Sequence, residues 1–231
     1  MQSDMEGVSQ HAISADLHIL HTLLSRNLDS ASLPESVREM QSKYTGVLNR
    51  LLRNKPPLRR NLVDLVSADL IKKENLEKQL ENYCPAFNTG GGDCFYKSLS
   101  IFFWGNEDYS NILRLLASAE LFINCDFYIR YFSILWRSLN NPKNDLVNFQ
   151  YILSNNSSDK ILSPSDYVDA MKHEALLNAK DSTYVAFVFF PVMSRILSCS
   201  IQLIYAKSAN TYFYEILCLL FTCFTYMSYF A

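Results

Sequence analysis

A cysteine that directly follows a glycine run is the residue of this chain best suited to chemistry. The run reads Gly90-Gly91-Gly92-Asp93-Cys94, and apolar residues at helical spacing begin at the cysteine. A thiol at the first residue of a helix lies at the positive end of the helix dipole, which favours the thiolate form. Glycines before it allow backbone N–H groups to turn towards a developing oxyanion. These residues predict a nucleophile at Cys94 with backbone oxyanion donors at Gly91 and Gly92. The alternative is a glycine turn that carries a half-buried structural cysteine.

The stretch around this cysteine resembles a known protease signature. The ovarian-tumour (OTU) family of papain-like cysteine proteases has a motif that reads roughly Asp-Gly-Asn/Asp-Cys-Leu/Phe-Phe/Tyr-Arg/Lys-Ala/Ser-Leu, and this chain fits it with Gly92-Asp93-Cys94-Phe95-Tyr96-Lys97-Ser98-Leu99. Gly91 stands where the family usually has an acid. Three later segments are also similar to the family: Leu113-Arg114, Met193-Ser194-Arg195-Ile196-Leu197 and Ile201-Gln202-Leu203-Ile204-Tyr205. Trp104-Gly105, Ala119-Glu120-Leu121 and Phe127-Tyr128 are most similar to the vertnin-like branch of the superfamily.

This resemblance implies a fold and a reaction. The fold is α+β and OTU-like, with helices around a small, incomplete sheet and a helical N-terminal extension. The reaction is cleavage of a ubiquitin isopeptide bond, in which Cys94 attacks the carbonyl of the C-terminal glycine of ubiquitin. The implied partner is ubiquitin or a ubiquitinated protein. The corresponding domain boundaries are 1–82 for the extension, 83–211 for the OTU-like domain and 212–231 for an apolar tail.

A thiol hydrolase of this kind also needs a histidine that shuttles protons and a third group that orients the histidine. The resemblance places that histidine after the segment 201–205, where this chain has none. Its histidines are His11, His18, His21 and His173. Asn210 matches the orienting position but has no imidazole to orient. We therefore expect the activity of this chain to be weak or absent.

The histidines that the chain does have suit other roles better. His173 is predicted to be an exposed residue of a helix, with Asp169 one turn earlier as its partner. His18 and His21 are three residues apart on an N-terminal helix and would bind a metal only with further ligands from elsewhere. The sequence predicts no metal site and no cofactor site.

The elements that position these residues are mostly helical by pattern. A capping box with proline in the first turn, Ser32-Leu33-Pro34-Glu35, begins a helix that ends before Pro56. A further helix is predicted over 62–80, and a long helical stretch over 109–140 with a break near 124–126. The run 153–165 reads as a surface loop. Ser163-Pro164-Ser165-Asp166 then caps another helix, with Val168, Met171 and Ala175 facing inward.

The helix that begins at Cys94 is predicted to end at Gly105, a natural C-terminal stop. Its inward face is predicted to consist of Phe95, Leu99, Phe102 and Phe103. Two interpretations compete for the segment from Tyr184 to Phe190. Its aromatic and β-branched residues favour a strand, whereas the resemblance makes it lead into a helix that ends near Leu197. A short strand is predicted over 201–205.

Composition limits the class of protein. With 231 residues and an apolar fraction of 49%, the chain can build one ordinary core. A net charge of −2 gives no general attraction to nucleic acid, and the basic turn between Arg50 and Arg60 has no interleaved aromatic residues. The polar start and the absence of a compact cysteine framework predict an intracellular protein, cytoplasmic or nuclear.

The apolar tail 212–231 has three interpretations. It is a membrane anchor, a buried terminal element, or a divergence from the family after about Ser208 through a truncated or mis-spliced gene model. The run from Ile216 to the end is uncharged but slightly short for a bilayer span. The last interpretation is favoured over contact with a membrane.

Three functions follow from these observations. The first is a deubiquitinase that uses Cys94, which the missing histidine opposes. The second is a non-catalytic, pseudoenzyme-like OTU or vertnin-like module that binds a partner or serves gene regulation as a scaffold. The third is a membrane-tethered helical protein, for which the tail is the only argument. The prediction is an OTU-like protein of deubiquitinase ancestry with weak or lost catalysis.

Overall fold

The computed structural model describes residues 10–26, 33–53, 68–69, 72–73, 87–138, 145–180, 183–199 and 201. The regular elements of these residues are helices, without a β-strand among them. They are α1 (Gln10–Arg26), α2 (Leu33–Arg53), α3 (Cys94–Trp104), α4 (Ser110–Ile123), α5 (Cys125–Ser138), α6 (Asp145–Ile152), the short α7 (Asn155–Ser158), a 3-10 turn (Pro164–Asp166), α8 (Tyr167–Asn178) and α9 (Phe189–Leu197). The expected α+β fold with a small sheet is therefore wrong for the described part of the chain, which is all helical.

Helix α4 is the centre of the described fold. Helices α1, α2, α3, α8 and α9 all pack on it, and nearly all of its side chains are buried, from Ile112 to Phe122. A helix that is apolar around its whole circumference is stable only when other elements cover every side. Between Ile112 and Phe122 the polar exceptions are Arg114, Ser118 and Glu120, which are buried as well. Their charges and hydroxyl group must find partners inside the protein.

Several sequence predictions of helix boundaries are confirmed. Helix α2 begins at Leu33, inside the predicted capping box. Helix α3 runs from Cys94 to Trp104 and ends at Gly105, whose left-handed φ of 77° is the conformation expected of a glycine stop. The break in the long helical stretch lies at Asn124, between α4 and α5. Ser163 and Asp166 form the predicted capping box before α8.

The predicted inward face of α3 is wrong at one position. Phe102 is 67% exposed, whereas the buried residues of this helix are Tyr96, Ser100, Ile101, Phe103 and Trp104. Apolar residues surround most of this helix, so their spacing did not define one face. The observed inward face is the one on which Tyr96, Phe103 and Trp104 are buried, and the Tyr96 hydroxyl there donates to Asn178 Oδ1 of α8 at 2.9 Å.

The strand interpretation of 184–190 is also wrong. Residues 183–186 are irregular, and helix α9 begins at Phe189 and ends at Leu197, as the resemblance implied. Phe189, Val192 and Met193 are buried at helical spacing, so packing overrides the strand propensity of this segment. The predicted strand 201–205 lies outside the described residues except for residue 201.

The N-terminal helices pack on the same core as the rest of the described chain. Both α1 and α2 contact α4, and α1 also contacts α8. The predicted domain boundaries at 82 and 211 stay predictions. The helix predicted over 62–80 and the tail 212–231 lie outside the described residues, apart from two helical pairs at 68–69 and 72–73. No helix in the described ranges has both the length and the apolar character needed to cross a membrane.

Candidate functional site

The glycine run before Cys94 forms a tight left-handed turn. Gly90 and Gly91 have φ values of 69° and 81°. A Cβ atom at either position would meet no atom within 4 Å. Glycine is therefore required here by backbone conformation, since the left-handed region is strained for other residues. The Asn88 side chain supports the start of the turn, because its Oδ1 accepts the N–H of Gly90 at 2.8 Å.

Arg114 of α4 holds this turn from inside the protein. Its side chain is buried, with only 1% exposed, and Nη2 donates to the Gly92 carbonyl and to Asp93 Oδ1, both at 3.2 Å. The same nitrogen donates to the Thr183 carbonyl at 3.2 Å. The other, Nη1, donates to the carbonyls of Asn178 and Lys180 at 3.0 and 3.1 Å. One guanidinium thus joins the start of α3 to the end of α8.

Arg114 is held in turn by Tyr96 and Asn178. The guanidinium lies 5.0 Å from the centre of the Tyr96 ring, a favourable cation–π distance. Asn178 accepts the Tyr96 hydroxyl and donates to the Ser118 hydroxyl at 2.8 Å. Burial raises the pKa of Tyr96 above its ordinary range, so this phenol stays protonated and acts as a donor.

Lys97 holds the turn from the other side. Its ammonium donates to the Gly90 carbonyl at 3.0 Å and to the Thr89 hydroxyl at 2.8 Å. It also lies 3.5 Å from Asp93 Oδ2 and 4.0 Å from Glu107 Oε2. Glu107 accepts both the N–H and the hydroxyl of Thr89 at 2.7 Å. The turn before Cys94 is therefore fixed by two cations, one on each side.

Cys94 is a free thiol at the first residue of α3 and is half-buried. Its backbone N–H donates to the Gly91 carbonyl at 3.3 Å and closes the turn. This N–H is consequently not free to bind an oxyanion in the structure. The structure brings the three predicted site residues, Cys94, Gly91 and Gly92, together in one turn, but their catalytic roles stay predictions.

His173 does not join this group. Its Nδ1 lies 3.0 Å from the hydroxyl oxygen of the buried Ser157 on α7, and among the described contacts it forms no ion pair with Asp169, the partner that the helix spacing suggested. Burial, together with the nearby charge of Lys160, lowers the pKa of His173 below its ordinary value. The imidazole is therefore biased towards its neutral form. The adjacent Glu174 accepts the N–H and hydroxyl of Ser154 at 3.0 and 2.7 Å.

The rotation of α8 separates His173 from the cysteine turn. Asn178 is the residue of this helix that contacts Tyr96 and Arg114 of the turn cluster. His173 precedes Asn178 by five residues, which places it roughly 140° away around the helix axis and about 7.5 Å along it. No hydrogen bond joins Cys94 to a histidine in the described part of the chain.

The remaining histidines, His11, His18 and His21, lie on α1. Burial, with smaller contributions from Lys180 and His18, lowers the pKa of His21. Over the described ranges, no group of three or more His, Cys, Asp or Glu side chains has the arrangement of a metal site.

A second buried polar cluster surrounds Glu120 on α4. Its carboxylate accepts Gln41 of α2 at 2.7 Å and the Tyr128 hydroxyl of α5 at 3.1 Å, and pairs with Arg195 of α9 at 3.3 Å. Arg195 also lies over the Phe127 ring at 4.3 Å. The sequence indicated Glu120 and Arg195 only through the family resemblance. Their pairing required the tertiary structure, because the residues are far apart in the chain.

Comparison with known families identifies the family to which the chain belongs. The family model described as "Vertnin, OTU domain" matches residues 85–221, more than half of the chain. The chain therefore belongs to the Vertnin OTU domain family, and the OTU-like, vertnin-like resemblance is confirmed. Searches of curated proteins and of solved structures found no match.

Proposed function

We propose that this chain is an OTU module of deubiquitinase ancestry that keeps a thiol at the nucleophile position and has lost efficient turnover. The single observation that carries the proposal is the contrast between Cys94 and His173. The turn of Cys94 is anchored by two cations, whereas the ring of His173 is paired with Ser157.

The thiol side of the proposal rests on the membership of the OTU family and on the turn. Cys94 is the first residue of an eleven-residue helix and directly follows the glycine turn. The substrate class we propose is the carbonyl at the C-terminus of ubiquitin. Attack by the sulfur would form a tetrahedral oxyanion beside the backbone of Gly91 and Gly92.

The loss of turnover rests on proton transfer. In thiol hydrolases a histidine takes the proton of the thiol and later gives one to the leaving amine. An amine leaves poorly without such a donor. Because no hydrogen bond joins Cys94 to His18, His21 or His173, the histidines whose side chains the structure describes, the acylation step on an isopeptide would be slow in this chain.

Covalent capture tests the substrate class. The purified chain is incubated with ubiquitin that carries an electrophilic C-terminus, next to the variant Cys94→Ala and a control in which ubiquitin lacks the electrophile. We expect an adduct of one ubiquitin on Cys94, absent from Cys94→Ala. A folded protein that forms no adduct would overturn the ubiquitin assignment and would support the non-catalytic binding or gene-regulatory module instead.

A further inference from the structure

We propose that Arg114 and Lys97 are positioning residues that orient the backbone amides of the Cys94 turn towards an oxyanion. The inference rests on the proposed role of Cys94 as a nucleophile and adds the residues that determine how well its turn can stabilise negative charge. Neither side chain would touch the substrate, so both act through the backbone.

The first step concerns the carbonyl oxygens of the three glycines. The carbonyl of Gly90 accepts from Lys97 at 3.0 Å and that of Gly92 from Arg114 at 3.2 Å. The carbonyl between them, of Gly91, accepts the N–H of Cys94 at 3.3 Å. Every carbonyl of the run is therefore held by a donor, two of them by a positive charge.

The second step concerns the N–H groups of the same peptide planes. The described chain has no cis peptide bond, and in a trans peptide the N–H points opposite to the C=O. The N–H of Gly91 is therefore directed away from Lys97, and that of Asp93 away from Arg114. Neither N–H has an acceptor among the described residues. The N–H of Gly92 has no acceptor there either, so three amides of the turn remain for an anion when the N–H of Cys94 is taken, and two of them belong to the peptide planes whose carbonyls the cations hold.

The third step concerns how firmly the cations are held. Asp93 lies between them, with Oδ1 at 3.2 Å from Arg114 and Oδ2 at 3.5 Å from Lys97. The Arg114 side chain is 1% exposed and that of Lys97 is 18% exposed. Donors that are fixed in place stabilise developing charge without reorganising. Rotation of either peptide plane would require one of these cations to leave its carbonyl.

The geometry of the guanidinium makes the substitution Arg114→Lys informative. One nitrogen of Arg114 contacts the turn and Thr183, and the other contacts the carbonyls of Asn178 and Lys180. A lysine keeps the positive charge but has one nitrogen, so it cannot serve both groups. An effect of this variant therefore reports orientation and not charge.

The experiment compares two reactions of Cys94 in the full chain, each followed on the Cys94 peptide by mass spectrometry. In the reaction with p-nitrophenyl acetate, the thiolate sulfur bonds to the carbonyl carbon, an oxyanion forms, and its collapse expels p-nitrophenolate. This leaving group needs no proton donor. In the reaction with iodoacetamide, the sulfur displaces iodide and no oxyanion forms. The ratio of the two rates measures stabilisation of the oxyanion.

We expect Arg114→Lys and Lys97→Met to lower the acylation rate about tenfold or more, with alkylation changed less than about threefold. The controls Arg130→Lys, an exposed arginine of α5, and Glu120→Gln, in the other buried cluster, should leave the ratio unchanged. Circular dichroism verifies the helix content. If Arg114→Lys does not fold, the ratio of the two rates in Lys97→Met decides whether the inference holds.

An unchanged ratio in a folded variant, or an equal fall of both rates, would overturn the inference. The assay uses no ubiquitin, so it is separate from the test of the proposed function. A chain that ignores the ubiquitin probe but shows the expected ratios would refute the substrate class and keep the positioning role.

Discussion

Helix α8 takes part in two polar clusters that are built differently. Near its C-terminus, Asn178 bonds to Tyr96 and its carbonyl accepts Arg114, in the network that holds the Cys94 turn. One and a half turns earlier, His173 pairs with Ser157. The first cluster fixes a backbone next to a half-buried thiol, while the second joins α8 to α7. The Cys94 turn and His173 thus lie in separate clusters, with no hydrogen bond between Cys94 and His173.

For the proposed function, this comparison separates a part of the site that also serves the fold from a part that does not. A turn held by buried charges is also part of the fold, because its loss would leave buried carbonyls without donors. A proton-shuttling histidine contributes to function and little to packing. A turn of this kind can therefore be retained in a chain that lacks the proton-shuttling histidine.

The largest expected effect is on stability, from the substitution Arg114→Met. It removes a buried cation and leaves the carbonyls of Gly92 and Asn178 and the carboxylate of Asp93 without their donor. We expect the free energy of unfolding in urea to fall by about 3 kcal/mol or more. Glu120→Gln, about 9 Å further along α4, should cost about 1–2 kcal/mol. A loss of under 1 kcal/mol for Arg114→Met would contradict the claim that the Arg114 cluster stabilises the folded protein.

Substitution of two glycines by alanine is expected to change the unfolding free energy by smaller amounts and with opposite signs. Gly91→Ala forces a side chain into a backbone with φ of 81° and should cost about 1–2 kcal/mol of unfolding free energy. Gly46→Ala lies inside α2, where a Cβ would meet no atom within 4 Å. It should stabilise the protein by up to about 1 kcal/mol. Thermal unfolding measures both, and a stabilising Gly91→Ala would refute the left-handed turn.

The smallest effect concerns the pH dependence of the histidine cluster. Burial and Lys160 lower the pKa of His173 in the folded protein, so near and below about pH 6.5 the unfolded chain binds more protons. The stability from this group is present above that pH and is lost as the pH falls through the folded pKa. His173→Gln should make the fall of the unfolding free energy between about pH 7 and about pH 5 shallower.

Lys160→Met is the matched variant for this prediction. It removes the neighbouring charge and keeps the imidazole, so it should reduce the same pH dependence by a smaller amount. A steeper fall in His173→Gln would show that His173 is stabilised in its charged form and is not the neutral partner of Ser157, and an unchanged fall in Lys160→Met would exclude Lys160 as a cause of the lowered pKa.

The sequence predicted the local features of the site and missed its long-range contacts. The glycine turn, the start of α3 at Cys94 and its end at Gly105 follow from residue conformations that are local. The hydrogen bonds of Arg114 join residues 21 to 69 positions apart, which no periodicity reveals. The strand expected at 184–190 failed for a related reason, since burial of Phe189 and Val192 on α4 and its neighbours decides the helix.

The pairing of His173 with Ser157 also depends on tertiary structure. Ser157 belongs to the polar run 153–165 that pattern alone assigned to a surface loop, yet it lies buried in α7. Helix spacing offered Asp169 as the partner because only residues on the same helix enter such an argument. The packing of α7 on α8 instead brings Ser157 to His173 as its partner.

The central claim is that Cys94 is positioned as a nucleophile but has no histidine partner for proton transfer. The most direct test is the turnover of ubiquitin that carries a C-terminal aminocoumarin. We expect no hydrolysis above that of Cys94→Ala, even where the electrophilic ubiquitin probe captures Cys94. Multiple turnovers that Cys94→Ala abolishes would contradict the claim. If His173→Gln abolished them too, His173 would be the base that the described structure keeps on Ser157.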